Sequence, residues 1–272
     1  MMIALGLLRS ATVAFALALG TGGTWAAAPE PLDPWPELAR DIFNGRPLAD
    51  GAGILTIEMP RRAEDAAVVP VTLRTTLPQG DTRSVNTITL VIDMNPAPVA
   101  ATFQLGPRSG VSEISTRVRV DTYTNVHAVA ELSDGSLHAV ATYVKASGGC
   151  SAPAAKNPLE AKASLGQMRF RQFAAAASSS PREAQVMVRH PNNSGLQMDQ
   201  VTRLYVPLFI VREIKVWQGD DLVLAVEGGI SLSEDPNIRF TYRPNGAATF
   251  RTEAVDTNGE VFRSEWPTET AM

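Results

Sequence analysis

The sequence predicts an all-β protein, built as two antiparallel β-sandwiches with one short helix at the start of the first. Three observations carry that class. Short runs alternating apolar and polar residues, rich in Val, Ile and Thr, recur about every ten residues from Ile54 to Val144, and a second series runs from Glu183 to Trp266. Asp134-Gly135 and Asn258-Gly259 are tight hairpin turns between such runs. The 272 residues are 44% hydrophobic, enough to cover sheets of that extent and too many for a disordered chain.

The helix is expected over Asp33–Phe43. Asp33 offers an N-cap, Pro34 sits just inside, and Trp35, Leu38, Ile42 and Phe43 share a face that packs on the first sandwich. Asn44-Gly45 stops it. Strands follow at Ile54–Met59, Val69–Thr75, Val85–Ile92, Ala100–Leu105, Ile114–Val120, Asn125–Glu131 and Leu137–Val144. The composition then turns small and polar over Ala146–Pro158 and again over Ala174–Pro181, with a possible strand at Gly166–Phe173 between them. The second series comprises Glu183–Arg189, Leu208–Trp217, Leu222–Glu227, Ile238–Tyr242, Ala248–Val255 and Val261–Trp266. Gly228–Pro236 reads as a crossover between sheets. The expected organisation is a leader over residues 1–28, a first sandwich over 29–145, a flexible arm and linker over 146–180 and a second sandwich over 181–272.

The leader reads as a Sec-type signal peptide. Its apolar core, Ala11–Leu19, is nine residues long, well short of the roughly 20 that a membrane span needs. Small residues follow at Ala26–Ala28, and Pro29 moves the expected cut to after Ala26. Removing the leader takes away Arg9 and no acidic residue, so the exported chain is one unit more negative than the −4 of the full sequence. The expected location is the periplasm, with no membrane span after cleavage. The acidic balance lacks the basic footprint of a nucleic-acid binder.

One cysteine and three histidines leave few ways to do chemistry. A single cysteine excludes a disulfide framework and a multi-cysteine zinc site. His127 and His138 flank one hairpin and are potential cross-strand neighbours. No third ligand lies close in sequence, so strand histidines are the better reading and no metal is expected. His190 precedes Pro191 and reads as a turn former. No Gly-x-Ser-x-Gly elbow, phosphate loop or His-Glu-x-x-His is present, and the carboxylates are dispersed, so neither a catalytic constellation nor a cofactor is expected.

Cys150 is different. A lone cysteine is usually a small buried hydrophobe, but its neighbours in Ser147-Gly-Gly-Cys-Ser-Ala-Pro153 offer no apolar anchor. The reading is an exposed thiol on a flexible arm, with Gly148 and Gly149 as the hinge and Cys150 as the attachment point of a covalent cargo. Lys145 and Lys156 favour the thiolate weakly.

Residues from about 35 to 151 resemble SoxY, the thiol-bearing subunit of the thiosulfate-oxidation carrier. The match lies in Met94-Asn-Pro-Ala-Pro-Val-Ala-Ala-Thr-Phe103, Ser115-Thr-Arg-Val-Arg119, Ala130-Glu-Leu-Ser-Asp-Gly135 and Val144-Lys-Ala-Ser-Gly-Gly-Cys150. Residues from about 183 to 266 resemble SoxZ, through Val188-Arg-His-Pro191, Ser194-Gly195, Ile230-Ser-Leu-Ser-Glu-Asp-Pro-Asn237 and Asp256-Thr-Asn-Gly259. The resemblance implies two immunoglobulin-like sandwiches in contact, and a carrier whose cysteine, here Cys150, holds its cargo covalently. Two departures stand out: Ser151-Ala-Pro153 replaces the family's Gly-Gly after the cysteine, and the arm is internal because the two subunits are fused. The fused form is similar to carriers linked with quinoprotein alcohol dehydrogenases. The function expected is a periplasmic carrier of a sulfur-containing group, presented to Sox-type or quinoprotein redox enzymes. The alternative is a non-covalent accessory or assembly module for a periplasmic quinoprotein (PQQ) alcohol dehydrogenase.

Overall fold

A computed structural model of the chain describes residues 33–78, 80–153, 158–173 and 181–269. The leader lies outside the described residues, as do parts of the expected linker at 154–157 and 174–180.

Helix α1 spans Trp35–Ile42, with Pro34 rather than Asp33 at the N-cap position. Asn44 and Gly45 take positive φ and the Gly45 N–H bonds the Arg40 carbonyl at 2.8 Å, which ends the helix where the sequence predicts. Ala39 and Phe43 are buried against Val129 and Leu137.

Eight strands follow: β1 (Leu48–Asp50), β2 (Leu55–Glu58), β3 (Val69–Thr75), β4 (Val85–Ile92), β5 (Val99–Leu105), β6 (Glu113–Val118), β7 (Thr124–Leu132) and β8 (Leu137–Val144). After helix α2 (Pro158–Ala163) come β9 (Met168–Phe173), β10 (Arg182–Val188), β11 (Val211–Gln218), β12 (Asp221–Gly228), β13 (Asn237–Tyr242), β14 (Thr249–Asp256) and β15 (Val261–Pro267). The period-2 pattern explains the strands directly. In β3, Val69, Val71 and Leu73 are buried while the residues between them are more exposed. β7 departs from alternation because α1 covers its outer face, so Val126 to Ala130 are all buried.

The fold class is as predicted: two immunoglobulin-like β-sandwiches, each half supplying strands to two facing layers. The layers, however, run through both halves. Among the described residues one sheet has nine strands in the order β1-β8-β7-β4-β5-β12-β11-β14-β15, and the other has six, β2-β3-β6-β13-β10-β9. The junctions are antiparallel: β5 meets β12 with Phe103 opposite Val226, and β6 meets β13 with Ile114 opposite Phe240. All four residues belong to one continuous core. Residues 168–173, placed by the sequence within the linker, form β9, paired with β10 at the edge of the smaller sheet. Gly229–Pro236 carries the chain from β12 in the larger sheet to β13 in the smaller, the crossover expected there.

A shared core predicts shared unfolding. Val226→Ala removes two buried methyl groups opposite Phe103 and costs about 2 kcal/mol. Calorimetry is expected to show one transition in both chains, shifted down by roughly 4–8 °C in the variant. Two separated transitions, only the second of them moved, would mean that the halves fold independently.

Candidate functional site

The Cys150 segment is not an exposed arm. Cys150 is 0% exposed, and residues 146–153 lie against the body as a strap held at both ends. The Gly148 N–H bonds the Asp121 carbonyl at 2.7 Å, and the Gly149 N–H bonds the Val120 carbonyl at 3.0 Å. Asp121 Oδ1 accepts the Cys150 N–H at 3.3 Å. From the second half, the Ser194 hydroxyl donates to the Cys150 carbonyl, and Gln197 Nε2 donates to the Ala152 carbonyl at 3.0 Å. Ala146 packs into the core, and from Gly148 to Ala152 the anchors are hydrogen bonds, so a Gly-Ser-Ala composition is no obstacle to burial.

The two glycines are required by geometry, not by mobility. Gly148 turns the chain with φ +78°, a conformation that side chains with a Cβ rarely adopt. Gly149 passes so close to the body that a Cβ there would lie 2.1 Å from the Ala66 carbonyl oxygen and 2.6 Å from that of Val120. The hinge reading of this pair is thereby corrected to a docking role.

Burial sets the chemistry of the thiol. Loss of water around Sγ, with the Asp121 carboxylate next in effect, pushes Cys150 up to about 11, and the Arg119 guanidinium offsets this in part. The charges acting on the thiol are thus Asp121 and Arg119, not Lys145; Lys156 lies outside the described residues.

Arg119 is itself buried, at 2% exposure, and Nη2 donates to the Asn192 carbonyl at 2.9 Å. Around it a polar network crosses between the halves. Asn95 Nδ2 donates to the Arg119 carbonyl and to Ser231 Oγ, each at 2.8 Å, while Asn95 Oδ1 accepts the Asp121 N–H at 2.8 Å. Asn192, at φ +45°, accepts the Val211 N–H on Oδ1 at 3.0 Å. The sequence singles out none of Asn95, Arg119, Asp121, Asn192, Ser194 and Gln197 as site residues. Their only signal is polarity within strand and loop motifs.

The histidines lie apart from the thiol network or serve structure. His127 pairs with Ala141 and His138 with Ala130 in the β7–β8 register, so the two are not cross-strand neighbours. His127 is buried, its Nδ1 lies 2.9 Å from Asp93 Oδ1, and Trp35 stacks on its ring at 3.6 Å. His138 contacts Ser136 Oγ at 3.0 Å. His190 packs on Phe209, and its Nδ1 accepts the Asn192 N–H at 3.1 Å. Nδ1 also lies 2.9 Å from Asn192 Oδ1, and burial lowers the His190 pKa. Among the described residues no three His, Cys, Asp or Glu side chains converge as metal ligands, and no helix is long and apolar enough to cross a membrane.

Beside the strap is an open cleft of about 550 Å³, walled by Pro153, Leu165, Met198, Val206 and Phe209. Gln197 lines it too, so one side chain both faces the cleft and holds the strap. Val201, Leu204 and Tyr205, all exposed, lie on the same segment as Met198 and Val206.

Two family models match in tandem: sulfur oxidation protein SoxY over residues 39–150, and sulphur oxidation protein SoxZ over residues 169–267. Together they span more than three quarters of the chain. No curated protein matches it. Among solved structures, the sulfur carrier protein SoxY from Chlorobium limicola f thiosulfatophilum is 27% identical over 40% of this chain and 89% of its own, with a TM-score of 0.35. A superoxide reductase (neelaredoxin) from Ignicoccus hospitalis is 13% identical over 34% of this chain and 79% of its own, with a TM-score of 0.30.

Proposed function

Because this chain belongs to the SoxY and SoxZ families, joined in that order as one fused SoxYZ-like protein, we propose that it carries a sulfur-containing group covalently on Cys150. Both families are carrier or accessory proteins of sulfur oxidation rather than catalysts, and their presence implies partner enzymes of that process. One observation carries the finer reading. The only cysteine of the chain is the last residue of the SoxY match, and groups from both halves hold its segment.

In this reading the strap opens for loading and closes over the thiol or its cargo between partners. Opening breaks five hydrogen bonds at Gly148, Gly149, Cys150 and Ala152, and leaves the sheets untouched. The apolar core of the leader, Ala11–Leu19, supports export, and the periplasm is the proposed location. The likeness of the fused form to carriers linked with quinoprotein dehydrogenases adds such enzymes as a second class of partner.

Intact-mass spectrometry of the protein purified from its native cells, grown on a reduced sulfur compound, tests the reading. A sulfur-containing mass increment on the native chain and its complete loss in Cys150→Ser are expected. An unmodified native chain, with sulfur oxidation unaffected by Cys150→Ser, would overturn it.

A further inference from the structure

We propose that Arg119 is the counter-ion of the carried group, so that the closed strap accepts an anionic cargo on Cys150 and disfavours a cationic one. This rests on the carrier reading above and adds the residue that senses the cargo's charge. Arg119 is buried, yet its Nε has no hydrogen-bond partner among the described residues. A buried guanidinium N–H left open is costly, and charged groups in that position are rare unless an acceptor arrives.

Arg119 and Cys150 are pinned to the same two segments. Val120, next to Arg119, receives the Gly149 N–H, and Asp121 receives that of Cys150. Across the junction Asn192 accepts from Arg119, and two residues on Ser194 donates to Cys150. Among the charges that act on the guanidinium, Cys150 comes first, ahead of Glu234 and Asp65. On the thiol side the charged neighbours are Asp121 and Arg119. At neutral pH the buried thiol is uncharged and supplies no anion. A sulfonate or other oxyanion attached to Sγ supplies both the charge and the acceptor, in the paired geometry that a guanidinium favours.

Two methanethiosulfonate reagents of similar size test this on the full chain, one carrying 2-sulfonatoethyl and the other 2-(trimethylammonio)ethyl. In each the Cys150 thiolate, its proton lost to solvent, attacks the sulfenyl sulfur. A Cys150 disulfide forms, the reagent's S–S bond breaks and methanesulfinate leaves. The cysteine sulfur is oxidised and the sulfonyl sulfur is reduced. Thermal midpoints are then compared.

The sulfonate adduct is expected to melt at least about 3 °C above the ammonium adduct in the native chain. Arg119→Met is expected to abolish that gap, and Arg119→Lys, which keeps the charge but lacks Nε, to retain part of it. Equal midpoints for the two adducts in the native chain overturn the inference, and that comparison needs no variant to fold. Such a result leaves the carrier reading standing, since both adducts have formed. Both reagents are applied at about pH 9, where the thiol of the open form is ionised, so each adduct forms without the partner that would open the strap in the cell.

Discussion

Gly149→Ala is expected to lift the Cys150 strap and raise the rate of thiol labelling at pH 8 by at least about 100-fold, with the β-sheet circular dichroism unchanged. The new Cβ would lie 2.1 Å from the Ala66 carbonyl oxygen and 2.6 Å from that of Val120. Both are main-chain atoms of the body, so neither can swing aside. The strap must yield instead. Its bonds to Val120, Asp121, Ser194 and Gln197 lie within five residues and fail together. A 100-fold change corresponds to about 2.7 kcal/mol in the opening equilibrium, within the usual range of local unfolding. Gly148→Ala is the internal comparison. Its Cβ would meet nothing nearer than Ser151 Oγ at 4.0 Å. It therefore bears the cost of positive φ alone, about 1–2 kcal/mol, and raises labelling by closer to tenfold. Labelling by a neutral methanethiosulfonate, followed by mass, reads both. Equal rates in the native and Gly149→Ala chains would show that close approach does not hold the strap.

That prediction turns on what a local reading of the chain misses. The strands are legible because alternation is a local signal: Val69–Thr75, Val85–Ile92 and Leu137–Val144 fold over the ranges their patterns mark. Pairing across the two halves is not, since β5 and β12 find each other through a core assembled from residues more than 100 positions apart. Cys150 stands out by its Gly-Gly context, but its burial does not. The groups that hold it, Asp121 and Ser194, stand 29 and 44 positions away. Composition reports apolar anchoring within a window, and in the strap only Ala146 joins the core. The rest of the strap is held by main-chain groups, which every residue carries and no composition reveals. Arg119 is visible in the sequence only as part of a strand motif. Its burial follows from the crossover after β12, where the Ser231 carbonyl accepts its N–H at 2.7 Å.

The reactivity of Cys150 in the closed chain is expected to climb tenfold per pH unit from pH 7 to about 11, a span on the order of 1000-fold beyond pH 8. An ordinary thiol levels off at about 8.5–9. Burial, with Asp121 second, holds the closed form protonated up to about 11, and Arg119 offsets only part of this. The open or unfolded chain takes the ordinary value. Below about pH 8.5 both forms are neutral, and the thiol does not alter stability. Between about 8.5 and about 11 the open form has already lost its proton and the closed form has not, so each added pH unit favours opening by about 1.4 kcal/mol. The closed strap is therefore lost as pH rises, and reaction through the open form keeps accelerating past the ordinary thiol range. Rates with the neutral reagent, measured from about pH 6 to 11 on the folded chain and on the chain in urea, check this. A plateau near 9 in both would mean that the strap does not govern the thiol. Only about one closed thiol in ten thousand is ionised at pH 7. The closed strap thus leaves the thiol nearly inert to stray oxidants, and under the proposed function loading calls for a partner that opens the strap or supplies the base.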